Sequence, residues 1–241
     1  GPVLVTFLTL NVHSSLGLLS AAASALIGGW GLAFQQSTAP RPIRESRQTK
    51  EPLALVPLGA LVVSALGVGF VFGASEVLIV AFTDEQGQKT LAGWVLAVSA
   101  IGSLLAGFVV GSRATVGSPL KRLRIFTVLL ALSLMPLPLA TNTAQITIGM
   151  FIMGLTIAPT LISAVNLVEH VTPLARLTEA LTWVTTGLSA GVAVGAIVSG
   201  RVVELYSAAS GFGVAAAAAG FSALIVWLPP LSQSSTSSKN T

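Results

Sequence analysis

The chain has 241 residues, of which 53% are hydrophobic and only 8% are charged, with a formal net charge of +4. Soluble domains carry roughly 25% charged residues, so this chain has too little charge to cover a soluble core. The basic residues lie in short loops between apolar spans, which is typical of membrane topology and argues against a nucleic-acid partner. Cysteine is absent, which excludes disulfides and thiolate metal sites, and His13 and His170 are too few for a histidine metal cluster. We therefore predict no metal and no cofactor.

The first apolar segment, residues 1–12, is shorter than the roughly 20 residues that cross a bilayer core. We interpret it as the second half of a helix whose first half is missing. A turn at residues 11–15 leads into a full span over 16–34. The polar run 36–52, with three prolines and four basic residues, then predicts an exposed linker.

Six further spans follow the linker. Pro136 and Pro138 interrupt the third of them, and Thr172 with Pro173 predicts an N-cap and a first helical position for the fifth. The serine-rich tail, 231–241, is predicted to be disordered. The six predicted spans are 53–82, 91–111, 125–140, 144–168, 173–203 and 208–228.

The distribution of positive charge predicts how the spans are oriented. If the linker is cytoplasmic and the spans alternate, ten of the 12 basic residues lie on the cytoplasmic side, and only Lys89 and Arg201 lie outside. The opposite orientation would invert this ratio. We therefore predict a multi-pass protein of the cell inner (plasma) membrane, embedded in the lipid bilayer, with its linker and C-terminus in the cytoplasm.

Small residues recur every four positions in two of the spans, which makes one smooth face on each helix. Such faces let helix backbones approach closely in lipid. They are consistent with a static bundle interface and also with helices that slide during a transport cycle. The two stripes are Gly187, Gly191, Gly195 and Ser199, and Ser99, Ser103, Gly107 and Gly111.

Glu76 is the only ionisable residue well inside a predicted span. Because a lipid-facing carboxylate is costly there, we expect it to face the bundle or a wet cavity, where one candidate role is proton coupling. The alternative is a carboxylate that reaches the interface or bonds to a neighbouring helix. Asn166 and Trp183 are candidates for the lining of a substrate cavity. The alternative role is an interhelical hydrogen bond for Asn166 and core packing for Trp183.

At this point the pattern resembles the major facilitator superfamily, whose members have twelve helices in two six-helix halves joined by a long basic loop. In that comparison the span at 16–34 is the sixth helix, 36–52 is the central loop and the later spans are the C-terminal half. Residues 1–12 would be the outer end of the fifth helix, and Gly1-Pro2 matches in position the Gly-Pro signature of the antiporter branch. The segment 177–183 also looks like the eleventh helix of bacterial efflux members.

The loop after the second predicted span of the C-terminal half resembles motif A of that family, a cytoplasmic gating loop. The copy lacks the aspartate of the motif. Glu179 lies in the second turn of its predicted span, where the helix dipole favours an acidic residue. It could equally replace the missing aspartate by pairing with Arg113 or Arg122. The matching residues are Gly107, Gly111, Arg113, Gly117, Lys121 and Arg122.

The resemblance implies an all-α polytopic bundle with the end of an N-terminal half (1–35), a linker (36–52), a six-helix bundle (53–230) and a tail (231–241). It implies a proton-coupled antiporter for efflux of a small-molecule substrate, a drug or a metabolite, bound at the midplane between two halves. The chain alone should then not transport, and its partner would be the missing N-terminal half or a second chain that supplies it. A non-transporting half-bundle that acts as a scaffold is the alternative, and an enzyme is not expected.

Overall fold

The computed structural model describes residues 14–34, 55–112 and 117–227, which form helices and turns without a strand. The chain divides into two compact units, residues 1–50 and 51–241. In the first unit, helix α1 is Ser14–Phe34, and its Trp30 and Phe34 rings meet edge to face with centroids 6.2 Å apart. The predicted partial helix at 1–12, the linker at 36–52 and the tail at 231–241 lie outside the described residues.

The described residues of the second unit form six helices that are long and apolar enough to cross a membrane. The predicted all-α membrane bundle is therefore confirmed. Short 3₁₀ turns lie at Lys89–Leu91, Leu137–Leu139 and Leu174–Arg176. The six helices are α2 (Leu55–Glu85), α3 (Ala92–Ser112), α4 (Pro119–Leu134), α5 (Thr143–Val171), α6 (Leu177–Leu205) and α7 (Ala208–Trp227).

Helix α4 begins at Pro119, six residues before the predicted span at 125–140. Ser118 is its N-cap residue in an extended conformation, and Pro119 occupies the first helical position, where its missing N–H costs nothing. Residues that we assigned to a basic loop, including Lys121 and Arg122, are therefore helical. The helix then stops at Leu134, before the two prolines.

Helix α6 begins at Leu177, so the predicted start at Pro173 is wrong. Thr172 is extended and ends α5, because a residue that precedes proline is disfavoured in the helical region. Pro173 itself has a ψ of 141°, which is extended, and a 3₁₀ turn intervenes before α6. The Thr-Pro pair ends one helix and does not start the next.

The helix contacts of the second unit repeat with a twofold pattern. Helix α2 packs against α6 and α7, and α5 packs in the same way against α3 and α4, while α4 and α7 contact each other. The first three helices therefore correspond to the last three, with α2 equivalent to α5. Successive helices alternate in direction, so the two triplets have inverted orientations, as in the nested repeats of transporter halves.

Glycines bring the backbones close together in two equivalent helix pairs, α2 with α6 and α3 with α5. A Cβ atom added at Gly187, Gly191 or Gly195 of α6 would meet the carbonyl oxygen of Val62, Leu66 or Phe70 of α2. Gly69 and Gly73 of α2 lie in the same way against the backbone of α6. Gly102 of α3 and Gly154 of α5 approach each other's helix backbone too. Close backbone approach through small residues is thus the packing device of both repeats.

Polar contacts mark the two ends of the bundle. We call the end where α2, α4 and α6 begin the basic end, and the end where α3, α5 and α7 begin the opposite end. At the opposite end a Glu85 carboxylate oxygen accepts a hydrogen bond from the Ala208 N–H at 2.9 Å, which joins the end of α2 to the start of α7. The Thr143 hydroxyl and the Gln88 side-chain oxygen, 2.7 Å apart, join the loop after α2 to the start of α5. Apolar cores fill the space between these ends.

Ser199, the last residue of the α6 stripe, has the one buried side-chain oxygen or nitrogen without a hydrogen-bond partner in the part of the chain that the structure describes. It is fully buried. Leaving such a group unpaired costs about 1–3 kcal/mol. Buried hydroxyls elsewhere find partners: Ser222, on α7, donates to the Ser64 carbonyl oxygen at 2.9 Å.

We predict that Ser199→Ala raises the free energy of unfolding by about 1 kcal/mol, since it removes the unpaired hydroxyl and keeps the Cβ atom. Ser222→Ala is the matched control and should lower it by about 0.6 kcal/mol, the average for interhelical hydrogen bonds in membranes. Thermal unfolding of the two purified variants in detergent measures both. Equal losses of stability in both variants would show that Ser199 is satisfied in the folded protein.

Candidate functional site

Two of the described helices of the second unit are weakly buried. In the apolar 18-residue stretch of each helix, only 11% of α3 and 22% of α6 is buried, against 56% of α2 and 50% of α5. Bulky apolar side chains of α3 and α6 are left exposed, among them Leu104, Phe108 and Ile197. Helices α4 and α7 lie elsewhere, since their main contacts are with α5, α2 and each other. The edges of the bundle formed by α3 and α6 are therefore the least covered of the six described helices.

Glu76 lies on a face of α2 that the other described helices leave uncovered. Gly69 and Gly73 point at α6, whereas Ala74 and Leu78 are buried in the core. Glu76 is exposed, and so are Phe72 and Val80, one turn before and after it on the same face. Of the two surroundings that we expected for Glu76, it does not face the interior of this bundle, and a wet cavity stays a prediction. Its carboxylate is presented outward between two apolar residues.

The position of Glu76 along α2 is still within the membrane. The helix has 31 residues and is about 46 Å long, so it exceeds the roughly 30 Å hydrocarbon core. Glu76 lies six residues beyond the middle residue, Phe70, a displacement of about 9 Å. For a centred helix this leaves the residue about 6 Å inside the boundary of the core. Glu76 is an intramembrane carboxylate that the other described helices of its own half leave uncovered.

Asn166 and Trp183 are not brought together with Glu76. Asn166 is half-buried on α5 and makes no hydrogen bond within the described residues, so the interhelical bond we considered is not formed there. Trp183 on α6 is 55% exposed, so it is not a core side chain of the described bundle. Both lie nearer the basic end than Glu76 does.

A cavity of about 60 Å³ lies between α2, α4, α5 and α6, lined mainly by aliphatic side chains. Its hydroxyl-bearing residues are Ser64, Thr160 and Thr185. Ligand pockets usually measure about 300–1,000 Å³, so this cavity is too small to hold a substrate alone. We regard it as a packing void. Within the described ranges no cluster of histidine and carboxylate side chains is placed to hold a metal ion.

The motif-like residues at the end of α3, in the turn after it and at the start of α4 do not form one site in the described residues. Gly107 lies near Ala158 of α5, whereas Gly111 has nothing near it. Gly117 has a φ of +114°, which favours glycine and sets up the turn into α4. Lys121 and Arg122 are in the first turns of α4. Arg113 lies outside the described residues.

Glu179 pairs with Arg176, three residues before it, at 2.9 Å. Both carboxylate oxygens accept from the guanidinium group. The pairing with Arg122 that we considered is thus not present, while Glu179 does lie in the first turn of α6, where the dipole favours it. Arg176 is only three residues from Glu179, and the 3₁₀ turn holds it within ion-pair distance of the carboxylate.

Comparison with protein-family models now adds to this geometry. The model described as Major Facilitator Superfamily matches residues 60–241, which covers all of α3 to α7 and most of α2. This chain belongs to the major facilitator superfamily. None of the curated proteins compared with the chain matches it.

Membership of the major facilitator superfamily gives the six-helix bundle its functional class. Members of the superfamily are membrane transporters and not enzymes, and a multi-pass protein with six membrane-length helices agrees with that class. In the superfamily the substrate lies near the midplane where repeats meet. The uncovered face of α2 crosses that level and carries Glu76 about 9 Å from it, so this face is the candidate site.

Sequence reasoning missed one well-defined polar contact at the basic end. The Nε of Arg124 in α4 donates to the Val226 carbonyl oxygen of α7 at 3.1 Å, and its guanidinium carbon lies 4.9 Å from the centroid of the Trp227 ring. The Ser-Pro signal at 118–119 would have placed Arg124 on a helix, but nothing in the sequence shows that α4 adjoins α7.

Proposed function

We propose that this chain provides the C-terminal half of a proton-coupled antiporter that exports small molecules, with Glu76 as a coupling carboxylate. The observation that supports this most is an exposed carboxylate inside a membrane-length helix of a superfamily transporter. Ionisable residues within membrane spans are rare and usually serve ion or substrate pathways. In the part of the chain that the structure describes, Glu76 is the only such residue well inside a span.

The uncovered face supports a second half as partner. Weakly buried α3 and α6 leave apolar surface exposed at both edges of the bundle, and α2 and α5 lie between those edges. A second six-helix half that contacts both edges would enclose the face of α2 that carries Glu76. In that arrangement the carboxylate would line a central cavity between the two halves, which water or substrate occupies in turn. We also propose that the basic end of the bundle faces the cytoplasm.

Everted membrane vesicles that contain the full-length polypeptide test this function. Respiration acidifies the vesicle lumen, which quenches acridine orange, and candidate drugs or metabolites are then added one at a time. An exported antiport substrate should release protons and restore fluorescence, while vesicles without the protein should not respond. If the folded protein transports a compound without moving protons, the coupling is wrong. If it transports none of a broad panel of compounds, with or without the pH gradient, the scaffold alternative is favoured.

A further inference from the structure

The six lysines and arginines of the second unit that the structure describes fall into two groups. Three of them pair with a carboxylate in the described residues: Lys89 with Asp84 at 3.3 Å, Arg176 with Glu179 at 2.9 Å and Arg201 with Glu204 at 2.7 Å. The other three, Lys121, Arg122 and Arg124, all lie in the first six residues of α4. None of these three has an ion-pair partner in the described ranges.

Two of these three cations share a side of α4. Lys121 and Arg124 are three residues apart and therefore neighbours on the helix surface, whereas Arg122 is turned roughly 160° away from Arg124 at about 100° per residue. Lys121 is exposed and Arg124 is half-buried. The Arg124 side chain crosses to α7, where the Val226 carbonyl and the Trp227 ring hold it.

The held guanidinium has donors left over. A guanidinium carries five N–H donors, and within the described residues only the Nε–H of Arg124 donates, to Val226. The planar fork of terminal N–H groups is thus fixed in place by its stem and remains available. Such a fork matches two oxygens of a phosphate or a carboxylate.

We call the place where the start of α4 meets the end of α7 the seam. Its position indicates which molecule supplies the oxygens that the Arg124 fork would bind. Helix α4 begins and α7 ends here, so the seam lies at the level of lipid headgroups, where tryptophan anchors also concentrate. The main contacts of α4 and α7 are with α5, α2 and each other, away from the exposed edges of α3 and α6. A lipid can therefore reach this seam even when a second half covers those edges.

We propose that the seam formed by Lys121, Arg124 and Trp227 binds the phosphate of an anionic phospholipid headgroup. The Arg124 fork receives the phosphate oxygens, the Lys121 ammonium adds a second positive charge, and the Trp227 ring holds the guanidinium in place. The net negative charge distinguishes this lipid from zwitterionic phosphatidylcholine. Binding at this seam does not depend on proton coupling or on Glu76.

Native mass spectrometry of the full-length protein in detergent, titrated with phosphatidylglycerol or phosphatidylcholine, tests the proposal. Phosphatidylglycerol should bind more tightly, and Lys121→Gln should weaken it about fivefold, the equivalent of about 1 kcal/mol per basic residue near a membrane surface. Arg122→Gln, on the other face of the same turn, and Lys89→Gln, at the opposite end, should each change its affinity less than twofold. Equal affinity for both lipids, or equal losses in all three variants, would overturn the proposal.

Two further measurements locate the bound lipid and identify its source. In a variant whose other tryptophans are all replaced by phenylalanine, brominated phosphatidylglycerol should quench Trp227 more than brominated phosphatidylcholine does. Arg124→Lys keeps the charge but loses the fork, so it should reduce this difference while the protein remains folded. Inorganic phosphate at millimolar concentration should not displace the lipid. Full displacement, or quenching that does not depend on the headgroup, would contradict a lipid site here.

Discussion

Replacing Gly191 with alanine should destabilise the second unit by about 2–3 kcal/mol, the cost of overpacking a closely fitted interior. The added Cβ would overlap the Leu66 carbonyl oxygen and lie close to the Phe70 nitrogen of α2. Both are backbone atoms of a long helix, so no side chain can rotate to make room. The two helices would have to separate along their whole contact, where Gly187 and Gly195 also lie against α2.

Gly200→Ala is the matched control for that substitution. Gly200 lies on the same helix, but an added Cβ has no atom near it. Alanine is a better helix former than glycine, so this variant should be unchanged or more stable by about 0.5–1 kcal/mol. Thermal unfolding in detergent and the yield of monodisperse protein report the difference. If Gly191→Ala were as stable as Gly200→Ala, the close α2–α6 contact would not exist in the folded protein.

The sequence predicted the number and the class of helices better than their ends. Apolar length shows where the chain crosses hydrocarbon, but a helix continues beyond the core into the headgroup region with polar residues. Helix α4 therefore begins at Pro119 in a segment whose basic residues indicated a loop. At Thr172 the same Ser/Thr-Pro pattern has the opposite meaning, because a preceding helix ends there. The local pattern alone does not distinguish the two cases.

The partners of the functional candidates could not be read from the sequence. The glycine stripe of α6 predicted a close helix contact, but not that its partner is α2, which lies more than 100 residues earlier. Burial at Ser199 follows from the same stripe, while its missing hydrogen bond depends on the atoms opposite. For Glu179 the sequence offered distant cations, and the nearby Arg176 formed the pair. Glu76 was identified by residue type and depth, and only the structure shows that its face is uncovered.

Glu76→Gln should abolish proton-driven export by an intact transporter that contains this half, while the protein remains folded and inserted. Glutamine keeps the size and the hydrogen-bonding capacity of glutamate but cannot release a proton. Glu76 is exposed in the second unit and makes no hydrogen bond with the described residues. Substitutions at such positions usually change stability by less than about 0.5 kcal/mol. A loss of export would therefore report on the proton and not on packing within this half.

The measurement is export into everted vesicles under an imposed pH gradient, with the melting temperature and the amount of inserted protein determined for each variant. Glu204→Gln is the control, because Glu204 is an exposed carboxylate at the opposite end, beyond the apolar part of α6, and its pair with Arg201 lies on the surface. Glu76→Asp should retain part of the activity, since it still titrates. Substrate binding should survive in the Gln variant, because antiport requires the carboxyl group to release its proton and not to hold the ligand. Export by Glu76→Gln at the rate of the unsubstituted protein would show that this carboxylate does not couple protons, whichever compound is exported.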